Sequence, residues 1–302
     1  MLVHTRCPID GSDDADVEVF PANWDPAQVD AEVFSARRTP DRLHYRMVRN
    51  RRTGCLRADP ILDEATILDL YRRSRVTYES LARYTAATYA RYLERALPLL
   101  PDRRGALEIG CGHGFFLSAL RAAGFQLVRG VEPSEDAVAK APPDIRPNIV
   151  LGELSAETFP AESFSLVCGF QVLDHLVHPN EVLQACHRLL VPGGVMFWIC
   201  HDIGALLARL LGRRCPMIDI EHVVLYDRRT IRLLFEKNGF AVADVFRVWD
   251  RYPIDYWAHL SPLPGRLKSA LRRGLGAVRL GRVPLKAPFG NQAILARRPP
   301  RG

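Results

Sequence analysis

Three closely spaced glycines form the pattern that points most directly to chemistry. They lie in Leu107-Glu108-Ile109-Gly110-Cys111-Gly112-His113-Gly114, where a predicted strand passes into a predicted helix. Glycines at such a turn allow positive φ angles and close approach of a ligand, and the N-terminus of the helix offers free N–H donors. Phe115 occupies the place of the third glycine in a dinucleotide fingerprint, which disfavours nicotinamide and flavin cofactors.

Two glutamates beside this loop narrow the choice of ligand. Glu108 lies two residues before Gly110, where a carboxylate can pair with an ammonium group. Glu132 ends the next predicted strand, at the place where α/β nucleotide sites keep an acid for the ribose hydroxyls. Either glutamate could be a surface charge at a strand end, but the two together favour a ligand with an amino-acid group and a ribose.

The elements that position these residues alternate between strands and helices. Predicted strands cover 106–109, 127–131, 149–151, 164–170, 195–200, 242–248 and 291–296, and predicted helices cover 113–123, 180–190 and 227–239. This alternation is typical of parallel βαβ units, so we expect an α/β fold with a doubly wound, Rossmann-like sheet. Residues 61–100 have a helical period and should form a linker, whereas 1–60 are broken by prolines and should form a small, loop-rich module.

Over residues 100–245 the sequence resembles the class I S-adenosylmethionine-dependent methyltransferases. The motifs that carry the resemblance are 107–117, 131–134, 152–155 with 159–167, and the Pro-Gly-Gly turn within 189–195. Ser165 stands where the family usually has Asp. The resemblance implies a methyltransferase core over 101–250 with an insertion at 201–226, followed by a basic C-terminal segment, 251–302, that carries the final strand.

The resemblance also implies S-adenosyl-L-methionine as the cofactor and a set of residues that bind it. These residues are Glu108, Gly110, Gly112, Gly114, Glu132, Glu153 and Gln171. Glu153 would meet the adenine amino group, and Glu157 is a competing register for that contact.

Residues 1–60 resemble the N-terminal module of bacterial methyltransferases that act on nucleotide sugars or related metabolites. The similar segments are 7–10, 34–38, 40–42 and 44–46. Two Cys-x-x-Cys pairs hold zinc in those relatives, and the corresponding residues here are Cys7, Asp10, Asn50 and Thr53. A structural zinc site ordinarily needs four Cys or His ligands. We therefore expect a degenerate zinc-ribbon-like module without metal, in which Cys55 is a buried apolar residue.

Two histidines compete for the role of general base, which is needed only if the acceptor must lose a proton. His175 directly follows the fourth strand of the predicted core. His222 lies in the insertion beside Glu221, and this pair resembles the Glu-His pair of sugar C-methyltransferases, although Asp219 replaces their Tyr. We expect His222 with Glu221 to act as base and His175 to orient the acceptor, although each histidine could also be structural.

Other polar and aromatic residues are weaker candidates for the acceptor site. His201 and Asp202 follow the fifth strand of the core. Tyr252, Tyr256 and Trp257 could line an acceptor pocket, although aromatic residues at this spacing are commonly part of a core.

Composition limits the location and partners of the protein. No apolar run of the 302 residues approaches the ~20 needed to cross a bilayer, and the seven cysteines are scattered. We therefore expect a cytoplasmic protein with reduced thiols. The net charge is +7, and basic residues without any acidic residue follow Asp255, which favours a solvated basic surface over a phosphate-binding one.

The expected function is methyl transfer to a small-molecule acceptor, such as a nucleotide deoxysugar or another secondary metabolite. We expect no membrane and no nucleic acid as partners, and a homodimer is compatible with the sequence. An RNA or protein methyltransferase is an alternative that the basic tail favours and the lack of a recognisable nucleic-acid module disfavours. A cofactor-binding regulatory relative that does not methylate is a second alternative.

Overall fold

The structure is a computed structural model that describes all residues except 26–28, 31–32, 35–42, 77–78, 156, 262 and 302. Part of the segment that resembles the nucleotide-sugar methyltransferases, 35–42, therefore lies outside the described residues. Within the described chain, no helix combines the length and the apolar character needed to span a membrane.

Strands and helices alternate over most of the described chain. The strands are β1 (Leu2–Val3), β2 (Asp16–Phe20), β3 (Met47–Asn50), β4 (Leu56–Ala58), β5 (Ile61–Leu62), β6 (Gly105–Ile109), β7 (Leu127–Glu132), β8 (Ile149–Leu151), β9 (Phe164–Phe170), β10 (Leu190–His201), β11 (Val224–Leu225), β12 (Ala241–Pro253) and β13 (Pro284–Arg297). The helices are α1 (Glu64–Arg73), α2 (Glu79–Ala96), α3 (Leu117–Ala122), α4 (Glu135–Ala139), α5 (Pro179–Leu189), α6 (Leu206–Leu211), α7 (Arg228–Lys237), α8 (Ile254–Leu260) and α9 (Gly265–Ala277).

Seven strands form the central sheet, in the order β12-β13-β10-β9-β6-β7-β8. The strands from β10 to β8 are parallel, and β13 lies antiparallel between β10 and β12. Every residue of β6 and β9 is buried, as expected for central parallel strands that are covered on both faces. The predicted doubly wound α/β fold is confirmed. Its strand order reverses between β6 and β9, where such sheets bind ligands beyond the carboxyl ends of the strands.

The first core helix begins later than the sequence predicted. The prediction placed it at 113–123, but α3 begins at Leu117. Gly112 and Gly114 have φ angles of 56° and 75°, which a right-handed helix cannot contain. A Cβ atom on Gly114 would lie 2.5 Å from Cγ2 of Ile145, so this position also excludes larger residues.

The linker predicted at 61–100 is not helical from its first residue. Residues 61–62 form β5, which pairs antiparallel with β1. Helix α1 begins only after Asp63, whose side chain accepts a hydrogen bond from the Thr66 N–H and caps the helix. The predicted fifth core strand is also longer, because β10 begins at Leu190 and accommodates the Pro-Gly-Gly turn as a register shift between Leu190 and Val195.

The N-terminal module contains a second sheet, to which the core contributes one strand. The four strands run in the order β11-β4-β3-β2, and β11 comes from the insertion after β10. Val224 pairs with Arg57 and Leu225 with Leu56. Leu56 and Tyr226 belong to one continuous apolar core. The module is therefore joined to the insertion that carries His222.

Candidate active site

A cavity of about 1120 Å³ lies at the carboxyl edge of the central sheet. Six of the seven predicted cofactor residues line it, namely Glu108, Gly110, Gly112, Glu132, Glu153 and Gln171. Gly114 is not part of the wall and instead packs beside Ile145, below the loop. The three predicted catalytic residues, His175, Glu221 and His222, also line the cavity. Residues far apart in sequence thus meet in one space.

Glu108 is buried at the end of β6 and suits a cationic ligand group. Its side chain is 1% exposed, and its Oε2 atom has no hydrogen-bond partner among the described residues. Burial, with a smaller contribution from the negative charge of Glu132, raises the pKa of Glu108 well above its usual range. An ammonium group would provide both a donor and a compensating charge.

Glu132 ties the end of β7 to the glycine loop. Its Oε2 atom accepts a hydrogen bond from the Gly112 N–H at 2.8 Å, and its Oε1 atom accepts one from the Ser134 N–H at 2.9 Å. Burial raises the pKa of Glu132, and these two bonds oppose that shift. Since each carboxylate oxygen can accept a second hydrogen bond, Glu132 remains able to bind two ribose hydroxyls.

The cavity wall distinguishes the two registers for adenine contact. Glu153 lines the cavity, and burial raises its pKa. Both glutamates are exposed, but Glu157 is not part of the cavity wall. Gln171 follows β9 with a φ of 57°, an uncommon angle for a residue other than glycine, and such strain is frequently found at ligand sites. These placements fit the predicted cofactor site.

A buried carboxylate lies at the centre of three histidines. Asp174 is 1% exposed, and its Oδ2 atom accepts a hydrogen bond from Nδ1 of His201. The same oxygen lies 3.8 Å from Nε2 of His222. Burial would raise the pKa of Asp174, but the charge and hydrogen bond of His201, with contributions from the other two histidines, hold it well below its usual range. Asp174 is therefore an ionised carboxylate with Oδ1 unpartnered among the described residues.

His175 and His222 are held by their own partners. Nδ1 of His175 is hydrogen-bonded to the Tyr71 hydroxyl at 2.8 Å, and burial lowers the pKa of His175 to about 3. Nδ1 of His222 donates to the Met217 carbonyl at 2.8 Å, and burial lowers the pKa of His222 as well. Glu221 lies in the same wall, and its carbonyl oxygen is 3.5 Å from the Tyr71 hydroxyl.

Part of this cluster has the composition of a metal site. Ligand atoms of Asp174, His175 and His222 lie within 4.8 Å of one another. Two imidazoles and one carboxylate are a common ligand set for divalent transition metals. The sequence analysis predicted that the protein binds no metal, and that absence remains a prediction.

The four positions that the resemblance assigns to a degenerate zinc ribbon lie in two turns. Gly11 N–H donates to the Cys7 carbonyl at 2.8 Å, and Gly54 N–H donates to the Asn50 carbonyl at 2.8 Å. Across the gap, the Cys7 thiol is 3.3 Å from the Thr53 hydroxyl. Asn50 accepts hydrogen bonds from the N–H groups of Arg52 and Thr53. The contact between Cys7 and Thr53 thus joins the two turns.

Cys55 is also in contact with this group. The side chain is fully buried, as the sequence predicted, and its hydrogen bond lowers the pKa of the Cys7 thiol to about 6. Asp10 accepts a hydrogen bond from the Ser12 hydroxyl at 2.8 Å and also interacts with the Cys7 thiol.

Some of the remaining candidate residues line the cavity, and others lie outside its wall. Tyr252, Tyr256 and Trp257 all line the cavity, and their ring centroids lie 4.6 to 5.5 Å apart. Asp202 is buried but lies outside the wall and accepts a hydrogen bond from the Gly204 N–H. Ser165, at the family's Asp position, donates its hydroxyl to Asp102.

Asp174 and Tyr71 are site residues that the sequence did not identify. Asp174 directly precedes His175, and Tyr71 lies in the segment predicted as a helical linker. The available signal was an Asp-His pair directly after a central strand. The pairing with His201 and Tyr71 spans 27 and 104 residues, so no local pattern contains it.

The chain is similar in sequence to known methyltransferases. A family model described as "Methyltransferase domain" matches residues 81–245. The ubiquinone biosynthesis O-methyltransferase of Methylococcus capsulatus is 34% identical over 118 residues, which are 36% of this chain and 49% of that protein. The enzyme of the same name from Pseudomonas entomophila is 31% identical over 99 residues, or 30% and 42% of the two chains. The chain therefore spans less than half the length of these relatives.

A SAM-dependent methyltransferase from Archaeoglobus fulgidus has 19% identity and a TM-score of 0.48, with 73% of this chain and 98% of that chain covered.

The doubly wound sheet, the glycine loop and its two acids are the features of a class I methyltransferase domain, whose cofactor is S-adenosyl-L-methionine. The chain belongs to the methyltransferase domain family, whose model covers more than half of its residues.

Proposed function

We propose that this enzyme transfers a methyl group to a hydroxyl oxygen of a small, largely apolar acceptor. The observation that carries the proposal is the His201–Asp174 pair at the cavity wall. A hydroxyl must lose its proton to become an effective nucleophile, and a histidine held by an ionised carboxylate is suited to accept it. The O-methyltransferase relatives support an oxygen acceptor.

The lining of the cavity supports an acceptor without phosphate groups. Apolar and aromatic side chains beyond the glycine loop include Leu207, Leu211, Met217, Tyr256 and Trp257. Among the described lining residues, Arg188 is the only lysine or arginine. A diphosphate ordinarily needs several cationic or N–H partners. A phenol or similar alcohol therefore suits this wall better than the nucleotide deoxysugar that the sequence suggested.

The residues of the cavity would divide the work between binding and proton transfer. Glu108 would bind the ammonium group of the cofactor and Glu132 its ribose, so that the cofactor is held in one orientation. S-adenosylmethionine supplies an electrophilic methyl group when it is bound. Most of the rate then comes from placing the acceptor oxygen in line in a cavity with little water, which can contribute on the order of 7–11 kcal/mol.

Two observations favour His201 over the predicted His222 as the base. Nδ1 of His201 donates to Asp174, which leaves Nε2 as a proton acceptor. The His201 side chain is 24% exposed, whereas that of His222 is 9% exposed. His222 and His175 would then orient the acceptor, and Glu221 would complete the wall. The earlier assignment of His222 remains the alternative that experiments must compare.

The test is transfer of labelled methyl groups to three kinds of acceptor: a panel of phenols and catechols, a panel of nucleotide sugars, and total RNA. We expect transfer to at least one phenol or catechol and no transfer to RNA. Labelled nucleotide sugar or RNA as the only product would contradict the proposed acceptor class. Cofactor binding without transfer in any panel would favour a regulatory relative.

A further inference from the structure

The helix α9 has no buried residue. It is 13 residues long and lies between β12 and β13, after α8. Leu267, Leu271 and Val278 are 58%, 42% and 62% exposed. At 100° per residue, the side chains of Leu267 and Leu271 lie about 40° apart and form one exposed apolar stripe. The exposed Val278 follows at the C-terminal end of the helix.

The exposed apolar residues of this segment are unusually concentrated. Seven of the fifteen large hydrophobic side chains that are exposed in the described residues lie between 263 and 285: Leu263, Leu267, Leu271, Val278, Leu280, Val283 and Leu285. Scattered exposed leucines need no explanation, but exposed apolar side chains that are concentrated in one segment indicate an interaction surface.

Basic residues surround the apolar stripe. Between 263 and 286 the chain contains seven cations and no acid: Arg266, Lys268, Arg272, Arg273, Arg279, Arg282 and Lys286. On the helix wheel, Lys268 lies beside the stripe on one side, and Arg266 and Arg273 lie on the other. An apolar face flanked by cations is the pattern of helices that lie in the interface of a bilayer.

The helix has a fixed position next to the cavity. The Nε and Nη2 atoms of Arg272 donate hydrogen bonds to the Asp255 carboxylate at 2.8 and 2.9 Å. This ion pair connects α9 to α8. Helix α8 contributes Tyr256, Trp257 and Leu260 to the cavity wall. A surface that binds the stripe of α9 would therefore lie close to the acceptor end of the cavity.

We propose that α9 binds the surface of an anionic lipid bilayer, with Leu267, Leu271 and Val278 inserted between the headgroups and the surrounding arginines and lysines against lipid phosphates. The sequence led us to expect no membrane partner because no segment could span a bilayer, but surface binding needs no such segment. A second copy of the chain would bring two basic surfaces together, and RNA would leave the leucines exposed. The lipid surface alone satisfies both the charge and the apolar stripe.

The test is flotation of the full chain with vesicles of phosphatidylcholine alone or with about a third phosphatidylglycerol, a fraction that gives the strong negative surface potential of anionic membranes. We expect flotation with the anionic vesicles and at least about tenfold less with phosphatidylcholine, because cations and apolar residues act together. The variant Leu267→Asp/Leu271→Asp should lose flotation. The control Val150→Asp/Leu151→Asp makes the same change at exposed residues of β8, at the far edge of the sheet, and should keep it.

A second variant separates insertion from charge attraction. Arg266→Glu/Lys268→Glu/Arg273→Glu should also abolish flotation, and it leaves the Arg272–Asp255 pair intact. Melting temperatures within a few degrees of wild type identify folded variants, and all of these positions are at least partly exposed. Wild-type protein that stays with neither vesicle, that binds RNA instead, or that floats equally after the two leucine substitutions would overturn the proposal.

Discussion

Two buried carboxyl groups of the site have pKa values that are shifted in opposite directions. Glu108 has no cation beside it among the described residues, and burial raises its pKa. Asp174 is equally buried, but the adjacent His201 lowers its pKa. Two carboxyl groups whose pKa values are shifted apart can have different tasks in one site. Glu108 is ready to receive a cation, and Asp174 is ready to orient an imidazole.

The protonation of Glu108 gives a prediction for cofactor binding. Because its pKa is raised in the free protein and an ammonium group favours the ionised form, binding should release a proton, and affinity should rise with pH until Glu108 ionises in the free state. Titration calorimetry with S-adenosylhomocysteine in buffers of different ionisation enthalpy measures this release. Glu108→Gln should remove the release and weaken binding at least about tenfold. Proton uptake, or unchanged release in Glu108→Gln, would contradict the assignment.

Glu132 is tested by its ribose contacts. Charge-assisted hydrogen bonds contribute about 1.5–3 kcal/mol each, so Glu132→Ala should weaken cofactor affinity more than about tenfold. Glu157→Ala is a matched control, because Glu157 is exposed and lies outside the cavity wall. Equal dissociation constants for wild type and a folded Glu132→Ala protein would refute the ribose role.

Single residues near the glycine loop could be placed from sequence because their spacing is local. Glu108 precedes Gly110 by two residues, and the loop fixes both at one strand end. The histidine cluster was harder to predict. His201 and Asp174 meet only because β9 and β10 lie side by side in the sheet, which no local pattern records.

At the scale of elements, helix and strand ends depend on individual capping and turn residues. Asp227 begins α7 with a capping box, as the sequence indicated. The start of α3 was misplaced because the glycine loop interrupts a helical pattern with left-handed backbone angles. Strand β11 was not predicted, since two residues in an insertion carry no periodicity; they form a strand only because β4 offers them a pairing edge.

The N-terminal module gives a prediction about metal and stability. Hydrogen bonds among Cys7, Asn50 and Thr53 connect the two turns in which the resemblance places the zinc-ligand positions. A structural zinc contributes folding free energy, so its removal lowers the melting temperature. We expect EDTA to leave the melting temperature of this protein unchanged within about a degree. A fall of several degrees, reversed by added zinc, would show that the turns bind metal.

At the scale of the whole molecule, the N-terminal module and the methyltransferase core are parts of one folded unit. Strand β11 extends the sheet of the module, and the buried Arg57 connects β4 to Asp16 in β2 by an ion pair. Apolar residues of the module and of the insertion pack in one core. The insertion that positions His222 therefore depends on the module for its support.

This continuity predicts cooperative opening. Hydrogen exchange measured by mass spectrometry should give peptides from 45–58 about the same protection as peptides from β10, because shared core residues must be exposed together. Peptides from α9, which has no buried residue, should exchange much faster and serve as the internal reference. Fast exchange in 45–58 with β10 still protected would show that the module opens independently.

Removal of the acceptor hydroxyl proton by His201 is the central step of the proposed reaction. The direct measurement is the single-turnover rate of methyl transfer to the best phenol of the panel at saturating cofactor. The rate is compared among wild type, His201→Gln, His222→Gln and His187→Gln. His187 is the control because it lies outside the cavity wall. General-base loss costs about 100-fold to 10,000-fold, so we expect that loss in His201→Gln, less than about tenfold in His222→Gln, and none in the control. Wild-type turnover in His201→Gln, with the large loss in His222→Gln, would contradict the account and return the role of base to His222.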